Sequence, residues 1–169
     1  MNSSVKTLEK PSLEDVWRWL ADVPDPEIPV VSVVELGIVR HVGWDGDELV
    51  VTVTPTYSGC PATAVISIEI EKQLLRNGVD AIRIETQLSP AWTTDWITDA
   101  AREKLRRYGI APPVDGVSCA GALKAAGPVV CPRCGSENTS EVSRFGSTPC
   151  KASWRCCDCL EPFDYFKSF

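Results

Sequence analysis

Two cysteine pairs near the end of the chain have the spacing of a metal site. Cys131 and Cys134 form one C-x-x-C pair, Cys156 and Cys159 form a second, and 21 residues separate them. Each pair places two sulfurs on one tight turn, so the two turns supply the four thiolates of a tetrahedral site. The alternative, core cysteines or disulfide partners, rarely shows this paired spacing. Zinc is the default for a closed structural site, although the spacing also fits a single iron ion.

A fifth cysteine has the surroundings of a reactive thiol. Cys60 lies between Gly59 and Pro61. Proline is common at the first position of a helix, so Cys60 is expected at the N-cap. A thiol there faces unpaired backbone N–H groups and the positive end of the helix dipole, and both favour the thiolate. A buried structural cysteine remains the alternative.

Two carboxylates flank a proline in the segment Asp25-Pro26-Glu27. Their spacing suits cation binding or general acid–base chemistry. Alternatively, Asp25 caps a short helical turn and Glu27 is simply solvated.

The remaining cysteines give weaker signals. Cys150 precedes Lys151, whose charge would lower the pKa of the thiol and make Cys150 a second candidate for thiol chemistry. It could instead be a small strand residue. Cys119 has no informative neighbours, and Cys157 is a bystander in the second cysteine turn that could compete with Cys156 for metal.

The pattern of apolar residues, prolines and glycines predicts a two-layer α+β domain with a three-stranded sheet over about residues 11–113. The predicted order is helix, strand, strand, helix, strand, helix. In that order, the elements run over Ser12–Leu20, Ile38–Trp44, Leu49–Thr54, Pro61–Arg76, Ile82–Leu88 and Thr94–Tyr108. Within the third strand, Ile82, Ile84 and Leu88 are expected to face inward.

The rest of the chain predicts a linker and a small metal-stabilised domain. The segment Ala111–Pro128 is rich in Pro, Gly and Ala, and residues 114–130 are interpreted as the linker. Residues 131–169 are too few to bury much core, so a metal is expected to stabilise them. Strands predicted over Ser140–Phe145, Ala152–Arg155 and Phe163–Lys167, between and after the cysteine turns, give the layout of a zinc ribbon.

Charge and composition argue against several classes of protein. The 169 residues carry a formal charge of −6. Nucleic-acid binding depends on neutralising phosphates with Lys and Arg, so this charge disfavours a nucleic-acid-binding protein. No apolar run approaches the roughly 20 residues of a membrane span. The first 11 residues are polar and unlike a signal peptide, so the eight cysteines predict metal or thiol chemistry in a reducing cytoplasm.

Three segments carry a resemblance to a known family. Asp25–Pro29 followed by Val34–Val39 resembles the signature of the MIP18 (DUF59) family, and Thr52–Pro61 resembles its motif around a reactive cysteine. The tail segments Phe145–Lys151 and Arg155–Phe163 are similar to the PaaD-type subgroup from phenylacetate-degradation gene clusters. The resemblance spans nearly the whole chain.

The resemblance implies a role in iron–sulfur protein maturation. PaaD-type proteins are associated with the multicomponent phenylacetyl-CoA epoxidase, whose reductase component carries an iron–sulfur centre. By position, Cys60 would be the cluster- or thiol-active residue, with Asp25 and Glu27 nearby. One thiolate cannot hold a cluster alone, so a homodimer, Cys119 or Cys150 would have to complete the coordination.

We therefore expect a non-catalytic accessory protein that binds structural zinc and transiently an iron–sulfur cluster. Its partners would be an iron–sulfur client or subunits of an oxygenase complex. His41 is the only histidine and lies in a predicted strand, which counts against a Cys–His hydrolase. The alternatives are an electron-transfer subunit with redox-active iron in the four-cysteine site, or a structural subunit of the oxygenase.

Overall fold

The computed structural model describes residues 10–57, 59–114 and 128–168. Those residues form three α-helices, seven strands and one 3-10 turn, and they confirm the α+β class. The helices are α1 (Leu13–Ala21), α2 (Ala62–Arg76) and α3 (Asp99–Tyr108), and the 3-10 turn is Thr94–Trp96. The strands are β1 (Val39–Asp45), β2 (Glu48–Val53), β3 (Ile82–Thr86), β4 (Ile110–Ala111), β5 (Thr139–Ser143), β6 (Lys151–Cys156) and β7 (Pro162–Phe166).

The first sheet has the predicted three strands, in the order β1-β2-β3. Strands β1 and β2 form an antiparallel hairpin, and β2 and β3 are parallel, so α2 serves as the crossover between them. Alternate residues of β2 are buried against α2, whose own apolar residues recur every fourth position. This arrangement places the start of α2, and thus Cys60, close to the end of β2.

Two predictions about the segment after β3 are wrong. Leu88 is 61% exposed because β3 ends at Thr86, so it does not face the core. The predicted helix from Thr94 is interrupted, because Thr98 adopts an extended conformation and caps α3 through a hydrogen bond from the Ala101 N–H to its side chain.

The second sheet has four strands in the order β4-β7-β6-β5. Strand β4 directly follows α3 and pairs in parallel with β7, with Ile110 opposite Asp164 and Ala111 opposite Tyr165. This two-residue strand was not predicted from the sequence. The division into residues 11–113, 114–130 and 131–169 stays a prediction, and most of the predicted linker, with Cys119, lies outside the described residues.

The ribbon, residues 131–168, packs against the first half of the chain, residues 10–113. Phe166 and Cys150 are buried in the same core as α1, α2 and the first sheet, whereas the other buried ribbon residues form a separate small core. The rings of Phe166 and Trp92 lie 6.1 Å apart. The Lys167 N–H donates to the Cys150 carbonyl at 3.0 Å, which ties these two docking residues together. No helix within the described ranges is long and apolar enough to cross a membrane.

Candidate functional site

A cleft lies where the ribbon meets the first half. It contains about 450 Å³ of non-protein space, part of which is open to solvent. Its polar lining comes from three separate segments, and its apolar lining comes from the segment before β1, from β2 and the loop after it, from α2 and from the ribbon. The lining residues with chemistry to offer are Asp25, Glu27, Thr56, Cys60 and Cys150. Three of the segments singled out from the sequence therefore meet at one place.

Cys60 lies at the entrance to α2 but not at its N-cap. Pro61 already has helical backbone angles and takes the N-cap position, so Cys60 precedes the cap by one residue, contrary to the sequence-based prediction. Its carbonyl accepts a hydrogen bond from the Thr63 N–H at 3.2 Å, which holds the backbone in the turn. The side chain is half-buried, so the thiol contacts the core while remaining reachable from solvent.

Asp25 caps a tight turn at the edge of the cleft. One carboxylate oxygen accepts hydrogen bonds from the N–H groups of Glu27 at 2.9 Å and Ile28 at 2.8 Å. Burial raises the pKa of Asp25, because desolvation outweighs these two hydrogen bonds. Asp25 therefore both caps the turn and lines the cleft.

Glu27 links the two halves of the chain. Its side chain is half-buried, and its carboxylate accepts a hydrogen bond from the Cys150 thiol at 3.5 Å. These residues are 123 positions apart in the sequence. Glu27 is thus directed toward the ribbon rather than simply solvated.

Cys150 is almost completely buried, with 4% of its surface exposed. Thr148 Oγ1 lies 3.0 Å from the sulfur. Burial raises the pKa of the Cys150 thiol to about 11, and Lys151 opposes the shift only weakly. Lys151 does lower this pKa, as predicted, but desolvation of the buried thiol is the larger effect, so the net shift is upward. Lys151 is itself buried and pairs with Asp164 at 3.4 Å.

Tyr57 adds a buried hydroxyl beside the cleft. Burial raises the pKa of Tyr57 to about 12, and the neighbouring Cys60 thiol adds to the shift. Its hydroxyl oxygen makes no hydrogen bond of good geometry with the described residues. Buried hydroxyls without a hydrogen-bond partner are uncommon in folded proteins.

The four ribbon cysteines come together as predicted. The sulfurs of Cys131, Cys134, Cys156 and Cys159 all lie within 4.8 Å of one another. Cys131 Sγ is 3.8 Å from Cys159 Sγ, and Cys134 Sγ is 3.6 Å from Cys156 Sγ. A tetrahedron with metal–sulfur bonds of about 2.3 Å has edges of about 3.8 Å. The donor set and its geometry therefore fit a metal ion held by four thiolates.

The two cysteine turns have matching backbones. Gly135 follows the first pair with φ +77°, and Leu160 follows the second with φ +65°. The Cys131 N–H donates to the Ser136 carbonyl at 2.9 Å, and the Cys156 N–H donates to the Glu161 carbonyl at 3.0 Å. In each turn, the residue directly after the second cysteine has a left-handed backbone conformation, and this conformation fixes the positions of the two sulfurs.

Asp158 connects the two turns from outside the sulfur cluster. Its carboxylate accepts hydrogen bonds from the Ser136 hydroxyl and from the Asn138 side-chain amide, the latter at 2.7 Å. Cys157 does not belong to the cluster: its exposed thiol lies 3.9 Å from the Ser140 hydroxyl. The bystander interpretation of Cys157 agrees with this geometry.

The cysteines and carboxylates were recognisable in the sequence, but the residues that join them were not. Phe166 carried no motif that distinguished it from other core residues, and Tyr57 was recognisable only as part of the segment Thr52–Pro61. The cleft wall contributed by Phe166 depends on a contact between distant parts of the chain. The lysine beside Cys150 was the one local signal: its effect on the thiol pKa has the predicted direction, but burial of the thiol outweighs it.

Two family descriptions match separate parts of the chain. Residues 13–84 match the family described as "Iron-sulfur cluster assembly protein". Residues 116–167 match the family described as "PaaD zinc beta ribbon domain". The order of the two matches follows the two halves of the fold.

One relative from Escherichia coli K12 covers both halves. It is described as a subunit of a "Putative 1,2-phenylacetyl-CoA epoxidase", and it is 50% identical over 161 residues, which is 95% of this chain and 96% of the relative. The chain belongs to the PaaD-type branch of the MIP18 (DUF59) family.

More distant members of the family lack the ribbon part of the match. A Porphyromonas gingivalis protein described as "Fe-S protein maturation auxiliary factor" is 35% identical over 54% of this chain and 89% of its own length. A solved DUF59 domain from Bacillus anthracis is 30% identical, with a TM-score of 0.51 over 54% of this chain and 89% of that structure. The PaaD-type branch thus adds a metal-binding ribbon to a domain that occurs without one.

Proposed function

We propose that this protein is an accessory factor of a phenylacetyl-CoA epoxidase system that assists assembly or delivery of an iron–sulfur cluster to the reductase component. The observation that carries the proposal is the half-buried Cys60 thiol in a cleft with Asp25 and Glu27. The match of this half of the chain to an iron–sulfur assembly family supports it. The relative described as an epoxidase subunit supplies the choice of client system.

The cleft has properties that a carrier needs. Cys60 is close enough to solvent for a partner to reach it, and iron–sulfur clusters are held by thiolates. Apolar residues of β2 and α2 line the floor and limit access of water to the bound cargo. A site with few protein thiols holds its cargo less firmly than a permanent four-cysteine site, which favours release to a client.

The ribbon site is proposed to hold zinc. Four thiolates fill a tetrahedral site and leave no open position for substrate, so the metal would act structurally. The description of the matching family as a zinc ribbon supports this metal over iron. Protein purified in air should then be colourless, whereas ferric iron bound to four thiolates would give a strongly coloured protein.

Co-production with a client tests the proposed function. The iron–sulfur reductase component should be purified from cells that also make the wild-type protein, the Cys60→Ala variant or the Cys157→Ala variant. We expect full client iron with wild type and Cys157→Ala, and cluster-deficient client with Cys60→Ala. Normal client iron with a folded, zinc-loaded Cys60→Ala protein would contradict the proposal.

A second candidate function is that of a structural subunit of the oxygenase. The word "subunit" in the description of the 50% identical relative favours it. A structural subunit would co-purify with the mature enzyme in a fixed ratio, and the Cys60→Ala variant would support full activity. A maturation factor would be absent from the mature enzyme, so quantifying each chain in the purified complex separates the two functions.

A further inference from the structure

We propose that Cys150 of the ribbon is the second protein ligand of the cargo, so that the transfer site is built by both halves of the chain. This inference rests on the proposed function and specifies its site. Cys60 and Cys150 line the same cleft although 90 positions separate them in the sequence. Cys150 is the less exposed of the two, which places its thiol deeper and the Cys60 thiol nearer the mouth.

The contacts of Cys150 are those of a positioned thiol rather than of a packing residue. Its sulfur lies 3.0 Å from Thr148 Oγ1 and donates to Glu27 Oε2 at 3.5 Å. A cysteine that only fills space in a core needs no polar partners. When the thiol binds a metal, a sulfur–metal bond replaces the sulfur–hydrogen bond, and the proton leaves to solvent past the Glu27 carboxylate, which accepts the thiol's hydrogen bond.

The ligands Cys60, Cys150 and Glu27 are not arranged around a single ion. Among the described residues, only the four ribbon sulfurs bring three or more candidate ligand atoms close enough for one ion. Cys60, Cys150 and Glu27 do not form such a group. A polynuclear iron–sulfide cargo, whose protein ligands bind different iron atoms, accommodates ligands that stand further apart.

The ribbon metal would then control the transfer site from a distance. Cys150 immediately precedes β6, and β6 ends at the metal ligand Cys156. The Lys167 N–H bond to the Cys150 carbonyl connects the same residue to the end of β7. Because these strands depend on the metal-stabilised ribbon, loss of that metal should remove the second cargo ligand from the cleft.

Anaerobic reconstitution of the full-length protein with ferrous iron and sulfide tests the inference. The wild type would be compared with Cys60→Ala, Cys150→Ala, Cys150→Ser and the matched control Cys157→Ala, all checked for one ribbon zinc and a cooperative melt. We expect wild type and Cys157→Ala to retain iron and sulfide equally. Cys150→Ala should lose them to a chelator at least about tenfold faster.

The serine variant separates ligation from packing. Cys150→Ser keeps the size of the side chain and offers oxygen in place of sulfur, so a ligand role predicts a changed sulfur-to-iron absorption band. A Cys150→Ala variant that retains cargo as the wild type does, or a Cys150→Ser cluster with an unchanged spectrum, would overturn the inference while the proposed function stands. Failure of the wild type to take up iron and sulfide would instead overturn both.

Discussion

Some residues of the cleft could be predicted from the sequence around them, and others could not. The position of Cys60 at the entrance to α2 was predictable to within one residue, because Pro61 indicates a helix start. Asp25 was predicted either to cap a turn or to join a site, and the structure has it capping the turn while lining the cleft. The partner of Glu27 was not predictable, since no local pattern indicates a thiol 123 positions away.

The raised pKa of Asp25 leads to a pH-dependent effect on stability. The folded state prefers the protonated carboxyl, so the contribution of Asp25 is largest below its ordinary pKa of 3.8 and is lost as the pH rises above that value. An asparagine at this position would keep the oxygen that accepts both N–H groups without a buried charge. We therefore expect Asp25→Asn to gain stability relative to wild type between about pH 4 and pH 7.

Urea unfolding of the wild type and of Asp25→Asn across this pH range measures the difference in their free energies of unfolding. The titration of other groups affects both proteins equally and cancels in the difference. Glu27 and Lys151 also act on Asp25, the first raising and the second lowering its pKa. An Asp25→Asn variant that becomes steadily less stable than wild type with rising pH would show that the two backbone hydrogen bonds, together with Lys151, outweigh burial.

The buried Tyr57 hydroxyl makes no hydrogen bond of good geometry with the described residues, and this gives a second residue-level prediction. Leaving a buried hydroxyl without a partner costs about 1–3 kcal/mol, so Tyr57→Phe should stabilise the cargo-free protein by about 1 kcal/mol. Denaturant unfolding checks this. A loss of stability in the phenylalanine variant would show that the hydroxyl makes a favourable contact, for which the neighbouring Cys60 thiol is the candidate.

At the scale of elements, the ribbon was the most predictable part of the molecule. The paired cysteine spacing determines the two turns, and alternation of apolar residues indicates the strands between and after them. Strand β4 escaped prediction because two residues carry no periodicity. The helix after β3 was misread because Thr98 interrupts an otherwise helical pattern with a cap.

The residue after the second cysteine is glycine in the first turn and leucine in the second, and this difference can be tested by substitution. Leu160 holds a left-handed conformation that costs a non-glycine residue about 1–2 kcal/mol, and its side chain is 59% exposed. Leu160→Gly should therefore stabilise the metal-loaded protein by about 1 kcal/mol. The matched change Gly135→Ala should have the opposite effect.

Thermal unfolding of the two variants with equal metal content decides this prediction. Destabilisation by Leu160→Gly would mean that the leucine side chain contributes packing that outweighs the strain of its backbone.

The ligand set predicts which cysteines the metal needs. Cys134→Ser should abolish stoichiometric zinc binding, whereas Cys157→Ala should leave zinc content unchanged because its thiol points toward Ser140. Zinc analysis of both purified variants is sufficient. Zinc loss in Cys157→Ala, or full zinc in Cys134→Ser, would mean that the ligands are assigned wrongly.

At the scale of the whole molecule, the ribbon and the first half share a core. This contact was not predictable, because the glycine-rich segment between them suggested independent domains and the contacting residues look like ordinary strand residues. Phe166 and Cys150 extend the main core, and Glu27 reaches back to the ribbon. The architecture thus makes the cleft a property of the complete chain.

Removing the docking side chain should separate the two halves. Phe166 is 1% exposed, and deleting a buried phenylalanine costs about 3–5 kcal/mol. Phe166→Ala should lower stability by that amount and make the ribbon protease-sensitive while zinc remains bound. Phe145→Ala, at a phenylalanine that is 70% exposed, is the matched control and should cost about 1 kcal/mol or less. Equal effects of the two changes would contradict the docked arrangement.

The central claim is that this chain carries an iron–sulfur cargo on Cys60 and passes it to a client. The most direct measurement is the transfer of iron and sulfide from the reconstituted protein to a purified apo-reductase, followed by the recovery of reductase activity. We predict that the wild type activates the client in the presence of a chelator that blocks free iron, and that Cys60→Ala does not. Equal activation by wild type, Cys60→Ala and free iron with sulfide would contradict the account.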